Sequence, residues 1–309
     1  MKILIELPTW LGDTVMSTSA IENIFESYDN REISLIGPES SLCIFRYHRK
    51  VKELITLEKT FSRLIRLRNY RGKFNILISF RSSLRTKLIR TLISPRKFFQ
   101  FDKKRYPDRH QVEKYVHFVN DSLNISLPSR KNIIYGHKKR KKNTRYVGFN
   151  PGAKYGDAKR WTSQGFIKLG QELSKNLNIK IFGSKDEVVI ARKIESGLIT
   201  RKINNLQNLA GKTTLEQLIH EIANLDLLIT GDSGPMHIAS AFNVPTVAIF
   251  GPTKHFETSQ WLNPQSSMVA LNLECQPCMK RTCPLGHHKC MEDIDYKMII
   301  REIEKLTLD

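Results

Sequence analysis

Residues 227–253 constrain the fold of this chain more than any other stretch. An apolar strand, Leu227-Leu228-Ile229, runs into the turn Gly231-Asp232-Ser233-Gly234-Pro235. A helix follows over residues 236–241, and a second apolar strand over 246–250. Strand, turn, helix and strand in this order make a parallel βαβ unit. The turn also opens a helix, so free backbone N–H groups and the helix dipole face the strand end, where they favour an anion such as a phosphate. Glycine permits close backbone approach, and Pro235 suits the first helical turn. The same residues also serve an ordinary capped turn, with Asp232 or Ser233 as N-cap.

Gly-Asp-Ser-Gly-Pro resembles the nucleophile loop of chymotrypsin-like proteases as well. That chemistry belongs to antiparallel barrels, and here the turn joins a strand to a helix, so the context excludes it.

The βα rhythm runs through the whole chain. Strands are predicted at 2–7, 33–36 and 75–80, and helices at 12–28, 84–93 and 112–123, from apolar residues at three- and four-residue spacing. Residues 136–145 (GHKKRKKNTR) are basic and lack an apolar period, which marks a linker. The pattern then restarts, with strands at 146–149 and 179–182 and helices at 166–177, 188–194 and 215–225. Alternation of this kind predicts an α/β protein of two doubly wound, Rossmann-like domains, over 1–140 and 146–309, facing each other across a cleft. The amphipathic helix at the C-terminus, about 294–307, is expected to pack on a core and is able to reach back to the N-terminal domain.

Charge is divided unevenly. Residues 1–145 hold 31 Lys and Arg against 13 Asp and Glu, whereas residues 146–309 hold 19 against 17. A polycationic first half calls for an anionic partner: nucleic acid, an acidic membrane face or a phosphorylated substrate. Arg81 and Arg85, at the end of the 75–80 strand, are the candidate contacts. Glu6 interrupts the short N-terminal apolar run, and no stretch reads as a transmembrane helix. A cytoplasmic protein is therefore expected.

Three turns at carboxyl ends of strands hold reactive side chains. Thr9-Trp10-Leu11-Gly12-Asp13 places a carboxylate after the first strand, suited to a general base or to a helix N-cap. Asn150-Pro151-Gly152-Ala153-Lys154, followed by Ala158-Lys159-Arg160-Trp161, gathers cations suited to a diphosphate. The third is the turn at 231–235, with His237 one helical turn on. No glycine-rich dinucleotide fingerprint and no P-loop follows a strand, which argues against a nicotinamide cofactor.

Cys275, Cys278, Cys283 and Cys290 are spaced C-x2-C-x4-C-x6-C, with His287 and His288 between the last two. In a cytoplasmic chain this spacing suits a structural zinc site, the alternative being a loop of reduced thiols. Cys43 is isolated and expected in the core.

Taken together, LPTWLGD (7–13), NPG (150–152) with AKRW (158–161), GDSGPMHIA (231–239) and AIFGPT (248–253) resemble glycosyltransferase family 9, the bacterial heptosyltransferases of the lipopolysaccharide inner core. They run in family order across nearly the whole chain. The resemblance implies a GT-B fold and an inverting transfer of heptose from ADP-heptose, with no cofactor required for catalysis. The Trp before Leu-Gly-Asp and the cysteine-rich tail resemble the type II members, which act on the first core heptose at the inner face of the inner membrane. Type I transfer and a basic nucleic-acid-binding protein are the alternatives. By the resemblance Asp13 is the general base, and Lys159 neutralises the donor diphosphate. Asp232, Ser233 and Gly234 hold the donor sugar and phosphates, with His237 beside them. Glu187 meets the ribose hydroxyls, and Thr213 and Thr214 line the adenine pocket. Lys154 and Tyr155 depart from the family, some of whose members carry hydroxyl residues there for the phosphates.

Overall fold

The computed structural model describes residues 1–28, 30–57, 64–137 and 144–306. Most of the basic linker expected at 136–145 therefore lies outside the described residues. The chain divides into two compact units, Met1–Gly136 and His137–Asp309.

The first unit is built on a parallel sheet of order β3-β2-β1-β4-β5, with β1 Lys2–Glu6, β2 Glu32–Gly37, β3 Val51–Thr56, β4 Ile76–Ser79 and β5 Lys97–Gln100. Alternation along the strands sends Leu4, Ile36 and Leu77 to one face, where Ile89, Leu92 and Ile93 of the helix Leu84–Ile93 cover them. Ile3, Ile5, Leu35 and Ile78 fall outside that cluster and are just as fully buried. A strand buried on both faces reads as an unbroken apolar run, which is why ILI at 3–5 and 76–78 was legible as strand. The helices Leu11–Ser27 and Gln111–Leu123 pack against each other. Cys43 is buried, as its isolation suggested.

The second unit carries a six-stranded parallel sheet of order β11-β10-β9-β6-β7-β8. Its strands are β6 Tyr146–Asn150, β7 Asn178–Ile181, β8 Leu206–Asn208, β9 Leu227–Gly231, β10 Thr246–Phe250 and β11 Ser266–Ala270. Val147, Phe149, Ile181, Leu227, Ile229 and Ile249 form one core with Phe166, Ile194 and Leu198 from the helices Ser163–Leu173 and Val188–Ile199. Ala248 and Phe250 pack with Met236 on the other side. The last helix, Tyr296–Glu304, buries Ile299 and Ile303 in this same core. Its apolar face is thus satisfied within the second unit.

In each sheet the strand order reverses at one place: between β1 and β4 in the first, and between β6 and β9 in the second. Open parallel sheets bind ligands outside the carboxyl ends of strands at such reversals, because loops from neighbouring strands there diverge to opposite faces. Asp13 and Arg81 follow β1 and β4. Lys159 and Asp232 follow β6 and β9. Among the described residues no helix is long and apolar enough to cross a membrane.

Candidate active site

In the first unit, Asp13 lies in the first turn of the helix Leu11–Ser27, where a carboxylate is favoured by the helix dipole. It is half-buried, and the hydroxyl of the buried Tyr115 lies 3.5 Å from its Oδ1. Burial, and next the charge of Asp13, push the Tyr115 phenol well above its usual range, so the tyrosine stays a neutral donor toward the carboxylate. Trp10, just before the helix, is exposed.

Across the β1/β4 reversal the structure shows a partner that the sequence did not advertise. Glu6 is fully buried, accepts a hydrogen bond from Ser79 Oγ at 2.6 Å, and has Arg81 Nη1 3.5 Å from its Oε1. Burial raises its carboxyl pKa above the ordinary range, opposed by Ser79, Arg81, Thr86 and Arg85. Arg81, expected to meet the acceptor, is thus engaged with a buried acid. Arg85 lies close enough to feel both Arg81 and Glu6, and desolvation is the main cause of its lowered pKa.

In the second unit, the turns after β6, β7, β8 and β9 share the carboxyl edge of one parallel sheet, and this brings the predicted donor residues to one side. Lys159 Nζ donates to Asp232 Oδ2 at 2.6 Å and lies 3.3 Å from the Asp232 carbonyl oxygen. Both side chains are about nine-tenths buried, at 11% and 7% exposure. Thr253 Oγ1 donates to the same carboxylate oxygen at 2.8 Å. Thr253 closes the AIFGPT motif, but its role as a donor to Asp232 could not be read from the sequence.

Ser233 stands at the N-cap position of the helix Gly234–Ala241, yet its side chain makes no capping bond. Its hydroxyl instead accepts from Asn150 Nδ2 at 3.1 Å and pairs with Thr230 Oγ1 at 3.0 Å. Asn150 thereby ties the β6 turn to the β9 turn, and no side-chain cap competes for the first N–H groups of the helix. His237 is buried on this helix. Gly231 allows close approach, since a Cβ there would lie 3.0 Å from the Lys159 carbonyl oxygen.

Glu187 is buried and accepts from the Ser184 N–H at 2.7 Å, capping the turn that leads into the helix Val188–Ile199. Its carboxylate lies against Gly152: a Cβ there would fall 2.1 Å from Glu187 Cδ. The glycine of NPG is therefore required by the acid facing it. Thr214 caps the helix Leu215–Ala223 through the Gln217 N–H at 3.2 Å, and Thr213 is half-buried one residue earlier.

The zinc site expected from the cysteine spacing finds no support in the side-chain geometry. Among the described residues no three His, Cys, Asp or Glu side chains are grouped to hold a metal ion. Gln276 Nε2 donates to the Gly251 carbonyl at 2.7 Å, Met279 N to the Pro252 carbonyl at 2.8 Å, and Ala158 N to the Arg281 carbonyl at 3.1 Å. These bonds tie the segment to the β6 and β10 turns, and it also bonds within itself, His288 N donating to Cys283 Sγ at 3.4 Å. Cys290 is buried on the short helix Lys289–Glu292, 3.3 Å from where a Gly251 Cβ would stand. Its thiol is pushed up to about 11, first by burial and then by the neighbouring Cys275, Cys283 and Cys278. The thiols share a neighbourhood without forming a cage.

A family model described as glycosyltransferase family 9 (heptosyltransferase) matches residues 75–289. The chain is 40% identical over 316 residues to lipooligosaccharide heptosyltransferase 2 of Campylobacter jejuni subsp. jejuni serotype O:6, covering 99% of each. It is 25% identical over 350 residues to lipopolysaccharide heptosyltransferase 2 of Escherichia coli K12, covering 100% of this chain and 99% of the relative. Its fold is similar to the solved E. coli ADP-heptose lipopolysaccharide heptosyltransferase II, with TM-score 0.82, 24% identity and 98% of each chain covered.

Proposed function

This chain belongs to glycosyltransferase family 9, and on that premise we propose that it moves heptose from ADP-heptose onto the first heptose of a lipopolysaccharide or lipooligosaccharide inner core. The observation that supports this most strongly is the Lys159–Asp232–Thr253 cluster beside the open N-terminus of the helix Gly234–Ala241, at the strand-order reversal of the second sheet. A diphosphate placed there meets a cation and the positive end of the helix dipole together.

The chemistry follows from this placement. The acceptor hydroxyl forms a bond to the anomeric carbon as its proton passes to a carboxylate oxygen of Asp13. The bond from that carbon to the β-phosphate oxygen breaks, and ADP departs as the anion. Lys159 and the helix N-terminus stabilise the charge that develops on the leaving group. A single displacement inverts the anomeric centre. Asp232 and Ser233 hold the donor near its heptose and phosphates, with His237 behind them. Glu187 takes the ribose hydroxyls, and Thr213 stands at the adenine end. Arg85, and Arg81 where Glu6 leaves it free to reach, attract the acidic core acceptor to the basic first unit. The acceptor is lipid-linked, so the enzyme works at the inner face of the inner membrane as a peripheral protein.

Thermal-shift titration with ADP, UDP, GDP and CMP tests the donor assignment, because a ligand of the folded state raises the melting temperature by mass action. ADP should give the largest shift, and ADP-heptose should support transfer to a heptose-terminated core. A larger shift with another nucleotide would reassign the donor.

A further inference from the structure

Lys159 is an incomplete answer to a diphosphate. Its ammonium is already paired at 2.6 Å with Asp232, and the Asp232 carboxylate adds a negative charge of its own at the anion site. The structure assigns a second cation. We propose that Arg281, carried by the cysteine segment, is a diphosphate ligand of the donor site, held in place by Tyr155.

Three observations converge on it. Arg281 is exposed, and no carboxylate pairs with it among the described residues. Its guanidinium lies over the Tyr155 ring, 5.3 Å from the centroid, and Lys159 Nζ lies 4.6 Å from the centroid of the same ring. One phenol thus gathers both cations by cation–π attraction. The backbone then locks residue 281 to the β6 turn. Ala158 N donates to the Arg281 carbonyl at 3.1 Å, and Tyr155 Oη donates to the Met279 carbonyl at 2.8 Å. His288 Nε2 lies 3.0 Å from the Ala158 carbonyl, which adds a further tie from the cysteine segment to the same turn. Gly156, at φ +156°, leaves room for this seam, since a Cβ there would fall 2.3 Å from the Arg281 carbonyl oxygen.

In this chain the Tyr155 ring serves the phosphates indirectly, by presenting a guanidinium whose planar fork suits two phosphate oxygens. The cysteine segment thereby acquires a role that needs no metal: it delivers Arg281. The inference rests on the donor reading above, and the probe is chosen to separate the two.

The test is calorimetric titration of inorganic pyrophosphate, ADP and UDP into the wild type, Arg281→Ala, Arg281→Lys and Tyr155→Leu. Loss of a charge-assisted contact should weaken pyrophosphate and ADP roughly tenfold or more in Arg281→Ala. Arg281→Lys should recover part of that affinity. Tyr155→Leu should lose affinity, with circular dichroism unchanged. Pyrophosphate affinity in Arg281→Ala equal to wild type would overturn the proposal and leave the donor reading intact. A wild type that prefers UDP over ADP, yet loses pyrophosphate affinity in Arg281→Ala, would overturn the donor reading and support Arg281. A wild type that binds ADP but not pyrophosphate would overturn Arg281 as a diphosphate ligand and leave the donor reading intact.

Discussion

Replacing Lys159 by Met should destabilise the second unit and weaken ADP binding, and these two effects should separate in a double variant. The side chains of Lys159 and Asp232 are 11% and 7% exposed, so solvent screens their 2.6 Å contact little. Lys159→Met leaves the Asp232 carboxylate buried with Thr253 as its remaining side-chain donor. Removing one partner of a buried pair costs about 3–5 kcal/mol, mostly because the other charge is left uncompensated. For a unit of this size each kcal/mol lowers the melting temperature by roughly 2–4 °C, so a fall of about 6 °C or more is expected by calorimetry. Lys159→Met/Asp232→Asn removes both charges and should recover much of that loss. ADP affinity behaves differently: it should fall roughly 10- to 150-fold in Lys159→Met and recover only in part in the double variant, because the cation is lost in both while the opposing Asp232 charge is removed in the second. Equal stability of the single and double variants would show that the pair is not energetically coupled. Unchanged ADP affinity in Lys159→Met would remove the lysine from the donor site.

Asp13→Asn should keep the fold and lower turnover by about 10²–10⁴, the scale of a lost general base; more than half the wild-type rate at saturating substrates would refute that role. Gly152→Ala places a Cβ 2.1 Å from Glu187 Cδ, so it should displace the carboxylate, cost about 1–3 kcal/mol, and raise the KM for ADP-heptose; an unchanged KM would detach Glu187 from the donor. Glu6 has a raised carboxyl pKa in the folded state, so the unfolded chain releases this proton first as pH rises, and its contribution to stability falls from the ordinary carboxylate pKa upward to the folded value. Glu6→Gln should flatten that fall in urea unfolding measured across pH, and an unaltered pH profile would show that burial is not setting the pKa of Glu6. Asp232→Asn should weaken ADP-heptose more than ADP; equal losses would move Asp232 away from the sugar.

The central strands were legible in the sequence because burial on both faces demands unbroken apolar runs: Ile3 to Ile5, Ile76 to Ile78, Leu227 to Ile229, Val247 to Phe250. The turns that end them were legible too, because Asp13, Lys159 and Asp232 are reactive side chains placed where strand gives way to helix. The edge strands were not. β3, β5, β8 and β11 flank the two sheets, and each is partly solvated, so its sequence (VKELIT, KFFQ, LQN, SSMVA) carries no continuous apolar signal. The partners inside the site also needed tertiary structure. Glu6 beside Arg81 lies 75 residues away in sequence, Thr253 reaches Asp232 across 21, and Tyr115 reaches Asp13 across 102. Cysteine spacing suggested a cage of thiolates but said nothing of the hydrogen bonds that tie the segment to Gly251, Pro252 and Ala158. Local patterning records which residues must be buried and where the chain must turn, because those demands act on neighbours in sequence. Which charged and polar groups meet is set by strand order, and strand order is a property of the folded sheet.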